Sequence, residues 1–261
     1  MDPGLRTPLI DFFRRGEVAR DARLLAAQGA LATRPLEQLA LLVLLHDDAD
    51  RDVAAAARET IAALPAEPVS AFLGRSDVPD EIRQFFTTRG IAAGPAVSVP
   101  SEEPLVQTPD DDLPELPAPG EGEDDRVSTA LLSTLPVLDR LKLATKGTRE
   151  QRAVLIRDSN KLVSIAVLSS PKVNESEIEA FARMGNVSEE VLRIIASNRS
   201  WTKNYGVIVA LVRNSKTPPA LSMNFIQRLN ERDLKALGTD RNVPESLRVA
   251  ARKFLVKSAK R

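Results

Sequence analysis

Three features of the 261-residue sequence predict an all-α fold, with two helical-repeat modules stacked in α-solenoid fashion and joined by a disordered, acidic, Pro-rich linker. The first is a phrase that recurs through the C-terminal half. It runs as a small polar turn, then Val or Thr, then an acidic or Pro-containing step into an apolar run. SSPKVNESEIEAF (169–181), RMGNVSEEVLRII (183–195), RNSKTPPALSMNF (213–225) and TDRNVPESLRVAA (239–251) are four copies. Each copy encodes one helix too small to bury its own apolar face, so neighbours must share a core. The second feature is composition: 43% apolar and 28% charged with only 4% aromatic residues suits Ala/Leu-rich helical packing better than a β-sandwich. The third is the stretch 92–126, where Pro, Gly and acids replace helical periodicity. Little apolar surface there offsets the entropy of ordering, so a disordered, self-repelling linker is expected.

This stretch divides the chain into an N-terminal helical module (1–91), the linker (92–126) and a C-terminal basic helical-repeat domain (127–261). The formal net charge of +0 conceals a polarity. Residues 1–91 carry 11 Arg, no Lys and 14 acids, the linker carries 10 acids and one Arg, and residues 127–261 carry 24 Lys/Arg against 12 acids. Every lysine lies at or beyond Lys142. Such asymmetry marks modules with different surfaces.

In the N-terminal module helices are expected over 8–14, 17–28, 35–45, 50–63, 68–73 and 79–88. Prolines near the first turn of several of them fit, because the missing N–H is harmless there. The run DVAAAARETIAAL (52–64) places apolar residues at 53, 54, 57, 61 and 64, close to a 3.6-residue period. GRSDVPDEIR (74–83) echoes GTDRNVPESLR (238–248), so both modules can share a repeat type. C-terminal helices are expected over 128–134, 136–146, 149–157, 160–168, 175–183, 188–197, 201–213, 218–228, 231–237 and 244–258. Thr148 with Gln151, and Asn174 with Glu177, have capping-box spacing. Val173, Val187 and Trp201 recur every 14 residues, and Thr217 to Val243 spans 26. One helix and its turn per step, two per repeat, fits this arithmetic.

The sequence excludes several chemistries. With no cysteine, disulfides and thiolate catalysis are ruled out. No signal-peptide pattern opens the sequence, and the apolar run 39–45 is far too short to cross a bilayer; a soluble cytoplasmic protein is expected. There is no Walker or dinucleotide fingerprint. Lys146-Gly147-Thr148 reads as a helix stop followed by a new cap. The single histidine, His46, precedes Asp47, Asp48, Asp50 and Asp52, but no second His or Cys completes a metal site. An acidic loop feeding the next helix N-terminus explains the run. Ser–His catalysis has no GxSxG elbow to support it, and Glu189 and Glu190 fit a first-turn capping role. The Asn-x-Ser triplets at Asn174, Asn186 and Asn198 follow turn chemistry rather than glycosylation. No enzymatic activity, cofactor, metal or small-molecule substrate is expected.

SNRSWTKNY (197–205) is the candidate interaction segment. It holds the only Trp and only Tyr, interleaved with Arg199 and Lys203. On one helix, Trp201 and Tyr205 would share a face and Arg199 would neighbour Lys203. Such a set can stack a base beside a phosphate, form the aromatic–Arg centre of a protein interface, or fill an inter-repeat groove. Arg193, Arg199, Trp201, Lys203, Tyr205 and Arg213 are therefore the expected partner-binding residues. The last helix puts Leu247, Ala250, Ala251, Phe254 and Leu255 on one side, with Arg248, Arg252, Lys253 and Lys257 as candidate contacts to phosphate or an acidic surface. A capping helix with a polar outer face explains the same pattern.

The turns in RNSKTPPAL and DRNVPESL, each followed by a short helix, resemble those of the leucine-rich-repeat-variant and HEAT-like classes of bacterial α-solenoids. Residues 137–257, with SNRSWTKNY, also look like an uncharacterised bacterial helical-repeat family. The resemblance implies a right-handed superhelix and an adaptor or scaffold role. Some leucine-rich-repeat-variant proteins hold an iron–sulfur cluster through an N-terminal cysteine cluster; a chain without cysteine does not inherit that activity. The leading expectation is a non-enzymatic interaction scaffold that binds an acidic protein partner. The alternative is nucleic-acid binding by the basic domain, with the acidic linker competing for the same surface as an autoinhibitor.

Overall fold

The computed structural model describes residues 2–95, 104–106 and 131–258, with the side chains of 257 and 258 outside the description. Within these residues the chain is all-helical, with no strand. The helices are α1 (Pro8–Arg14), α2 (Arg20–Ala27), α3 (Pro35–Leu45), α4 (Arg51–Ala63), α5 (Ala66–Leu73), α6 (Asp80–Thr87), α7 (Val137–Lys146), α8 (Arg149–Leu155), α9 (Lys161–Ser169), α10 (Glu175–Arg183), α11 (Glu189–Ser197), α12 (Tyr205–Arg213), α13 (Pro219–Ile226), α14 (Glu231–Thr239) and α15 (Glu245–Ser258), with a 3₁₀ turn at Trp201–Lys203. None is long and apolar enough to cross a membrane. Two compact units divide the chain, Met1–Lys172 and Val173–Arg261.

In the first unit α3 is the central element. Its sequence PLEQLALLVLL buries nine of eleven residues, as expected of a helix apolar on every face, and it packs on α1, α2, α4 and α6. The acidic loop after α3 caps α4: Asp50 accepts from the backbone N–H groups of Asp52 and Val53, which satisfies donors that α4 leaves open. α9 (KLVSIAVLS) is the second such helix, buried from Leu162 to Ser169. It packs on α1, α7 and α8, and α7 also meets α2. The compact units thus divide after Lys172, whereas the composition change suggested a division within 92–126. An all-round apolar helix needs neighbours on every side, and the residues N-terminal to the acidic stretch supply part of α9's covering.

Two stretches expected in the linker are seated on the N-terminal helices. Ser70 Oγ donates to Ala92 O at 2.8 Å, and Gly94 N–H donates to Ser70 O at 2.7 Å. Gln38 holds the backbone of Val106. Residues 92–95, at the start of the expected linker, are thus held by the side chain and the backbone carbonyl of Ser70, and within the stretch that fits a linker residues 104–106 meet Gln38. The remainder of the expected linker lies outside the described residues.

In the second unit the recurring phrase is a helix-entry device. In three of the four copies its Val or Thr is buried just before the cap, with Val187 at 0%, Thr217 at 1% and Val243 at 3% exposure, while Val173 is half-buried. The echo in the first unit, Val78, is 3% exposed. This is the position from which a residue pins the incoming chain to the helix. Asn174 and Glu177 close the expected capping box on α10 at 3.0 and 3.2 Å. Ser188, Asn204 and Asn230 cap α11, α12 and α14. Helices pack on their chain neighbours and on the next but one: α10 on α12, α13 on α15. Buried Asn214 donates from Nδ2 to Ala182 O at 2.8 Å and Met184 O at 2.9 Å, and accepts from Lys216 N–H at 3.0 Å. Lys216 Nζ donates to Val187 O at 3.2 Å and Arg228 to Thr202 O at 2.7 Å. Each of these ties returns to a turn about two helices earlier in sequence.

Candidate interaction site

The segment 197–205 does not continue as one helix. Asn198 Oδ1 accepts from Ser200 N–H at 2.9 Å and Trp201 N–H at 3.3 Å, winding the chain into the 3₁₀ turn. Asn204 then leaves helical geometry (φ −70°, ψ 121°) and its side chain accepts from Gly206 N–H at 2.8 Å, starting α12 afresh. The helix expected over 201–213 is therefore broken at Asn204. Trp201 and Tyr205 lie on separate elements and share no α-helical face, and neither do Arg199 and Lys203. Asn is the physical cause, because its side chain competes for the local backbone donors that a continuous helix would use.

Trp201 is half-buried, while Arg199 and Lys203 are exposed. Neither cation makes an ion pair or hydrogen bond among the described residues. Tyr205 is 39% exposed. Its hydroxyl donates to Asp233 Oδ2 at 2.6 Å and accepts from Asn230 N–H at 3.1 Å. Partial burial, followed by the bond to Asp233, holds the Tyr205 phenol above its ordinary pKa. Arg213 reaches the other oxygen of Asp233 at 3.2 Å. The structure thus brings Tyr205 and Arg213 together around one carboxylate. Sequence reading missed Asp233, which lies 28 residues from Tyr205.

Arg193 is tied to its own helix, through Glu189 at 2.6 Å and Glu190 at 3.8 Å. At the end of the chain Arg248 pairs with Glu245. Arg252 donates twice to Gly238 O, at 3.0 and 2.8 Å, closing the end of α14. Lys253 is exposed, and the side chain of Lys257 lies outside the described residues.

The set-aside motifs have structural partners. His46 Nε2 accepts from the Arg89 guanidinium at 3.1 Å, which leaves Nδ1–H to donate to Asp47 at 2.7 Å. That bond holds the Asp47 carboxyl below its ordinary pKa, and the imidazole stands edge-on to Phe85 with centroids 5.3 Å apart. Thr148 and Gln151 close a capping box on α8. Beside it a depression of about 400 Å³ is lined by Lys146, Thr148, Arg149, Arg152 and Lys172. Two of these cations face backbone carbonyls: Arg152 donates to Gly147 O at 2.9 Å and Lys172 to Lys146 O at 2.7 Å.

No protein family, curated protein or solved structure matches this chain.

Proposed function

We propose that the protein is a non-enzymatic interaction scaffold whose second unit stacks as an α-solenoid and binds an acidic protein partner at the segment around Trp201. The observation that carries this reading is the pairing state of the cations. Arg199 and Lys203, on either side of half-buried Trp201 in sequence, are exposed and without an acidic partner. Arg183, Arg193, Arg213, Lys235 and Arg248 are already paired with acids of the same unit. An aromatic with uncommitted cations is the composition of an interface centre. The polar ties from Asn214, Lys216 and Arg228 back to earlier turns, with packing between alternate helices, support the two-helix repeat.

Nucleic-acid binding is the competing reading. Among the described side chains of the unit, Arg232, Arg241 and Lys253 are also exposed and unpaired. Engagement of Arg183, Arg193, Arg213, Lys216, Arg228, Lys235, Arg248 and Arg252 weighs against it, because phosphate binding draws on cations free to displace counterions. The test is equilibrium binding of the full chain to fluorescent poly-glutamate and to a duplex DNA of unrelated sequence, at low and moderate salt. Saturable binding of poly-glutamate that weakens in Arg199→Ala and Lys203→Ala supports the reading. DNA binding that is tighter, and falls steeply with salt, overturns it in favour of the nucleic-acid reading.

A further inference from the structure

The first unit contains a clamp for extended backbone that lies outside the reading above, in a different compact unit. It is built on the turn between α2 and α3. α2 ends in a Schellman arrangement: Gly29 N–H donates to Ala26 O at 3.0 Å and Ala30 N–H to Leu25 O at 3.1 Å. Gly29 takes the left-handed conformation, φ +76°, that this ending requires. A second constraint acts on the same glycine. A Cβ on Gly29 would lie 2.9 Å from Val106 Cβ and Cγ1, so the missing side chain also allows another segment to approach the turn.

Gln38 completes the clamp. Its side chain is 1% exposed, yet every hydrogen bond it makes is accounted for. Nε2 donates to Gly29 O at 2.8 Å and to Val106 O at 3.2 Å, and Oε1 accepts from Val106 N–H at 3.0 Å. The carboxamide therefore offers Val106 the donor and acceptor that a neighbouring β-strand would offer. Its bond to Gly29 O fixes the amide in that orientation. Such pairing reads backbone rather than side chain, which is how extended peptides are bound at sheet edges. Here one glutamine supplies the edge. Pro104, Leu105 and Val106 are each half-buried, so the seated segment is a short apolar tripeptide. Glu102 and Glu103 precede it and Asp110 to Asp112 follow. Nothing in its composition favours order by itself; its backbone groups are satisfied by the clamp.

We propose that the Gly29–Gln38 clamp is a binding site for an extended peptide of a partner protein, of the Pro-Leu-Val type with free backbone N–H and C=O at the Val position, and that residues 104–106 occupy it in cis as a competing ligand. Tethering sets the strength of this competition. Covalent attachment of a competing segment supplies an effective concentration on the order of 1 mM. For a peptide with an intrinsic Kd of roughly 100 µM, occupancy in cis weakens binding in trans about tenfold.

The test uses the full chain and a fluorescein-labelled peptide, SEEPLVQTPD, corresponding to residues 101–110. Val106→Pro in the chain removes the N–H that Gln38 accepts and alters no helix, so the helical circular dichroism should stay as in the wild type. Its site is then vacant, and the labelled peptide should bind it about tenfold more tightly than it binds the wild-type chain. The same peptide carrying Val106→Pro should lose binding, and Gln38→Met in the vacated chain should abolish it. Equal affinity for the wild-type and Val106→Pro chains overturns the proposal. So does equal binding of the two peptides, a comparison made without altering the protein. A concentration-dependent dimer of the wild-type chain that Val106→Pro dissolves would also overturn it, because a second copy, not the chain's own segment, would then fill the clamp. None of these outcomes depends on Arg199, Lys203 or the second unit.

Discussion

α3 and the turn at Asn214 show two ways of holding short helices together. In the first unit, α3 is enclosed by four neighbours and is apolar on nearly every face. Its contribution is area removed from water, about 1.5–3 kcal/mol for each fully buried Leu or Val. In the second unit several helices are amphipathic, α12 (YGVIVALVR) being the apolar exception, and side chains reach back to earlier carbonyls: Asn214 to Ala182 and Met184, Lys216 to Val187, Arg228 to Thr202. Individually these bonds stabilise less than a buried Leu. They are directional, however, and fix which turn lies beside which, as non-directional apolar packing does not. A central apolar helix suits a closed cluster; in the second unit the polar ties reach back 26 to 32 residues.

The contrast is sharpest under mutation. Leu42→Ala, at a fully buried position of α3, should destabilise the first unit by about 3 kcal/mol. Urea unfolding followed by circular dichroism should show the loss. The emission of Trp201, the only Trp, reports the second unit and should keep its midpoint. A common shift in both signals would break the comparison. Asn214→Ala should do the reverse. It strands two carbonyls and the Lys216 N–H, lowering the Trp201-detected transition by about 2 kcal/mol.

A smaller effect of opposite sign is expected at Glu37, buried on α3 at 5% exposure. Burial raises its pKa, opposed by the Arg34 charge and a bond to Thr7. The unfolded chain therefore loses this proton at lower pH than the folded one, and stability falls as pH rises from the ordinary Glu value to the raised one. Glu37→Gln should remove that decline and stabilise the protein at neutral pH, read as thermal midpoints across pH 4–8. Thr148→Ala opens the capping box on α8 and should cost about 1 kcal/mol. Arg193→Ala breaks an exposed pair with Glu189, whose side chains are 52% and 60% exposed. It should change stability by no more than about 0.5 kcal/mol.

What the sequence shows and what it hides follow the range of the interaction concerned. The all-helical class, most helix positions and both capping boxes were legible, because caps and apolar spacing act within one or two turns. The recurring phrase was legible for the same reason, whereas the burial of its Val187, Thr217 and Val243 came from the structure. The break at Asn204 was not: WTKNYGVIVALVR has helical spacing throughout, and the competing bond from the Asn204 side chain to Gly206 is a choice of conformation rather than a pattern of residue types. Long-range partners were hidden as well. Nothing local links Tyr205 and Arg213 to Asp233, or α9 to α1. The seat for residues 104–106 was masked by composition, since a Pro- and acid-rich stretch looks unstructured unless the side chain that receives its backbone is known.

The interaction reading is tested most directly by the emission of Trp201 as poly-glutamate is titrated into the full chain, because one residue reports from within the proposed surface. A saturable spectral shift that disappears in the Arg199→Ala/Lys203→Ala double variant is the expected result. Saturable binding by anisotropy with unchanged Trp201 emission would place the partner elsewhere and contradict the account.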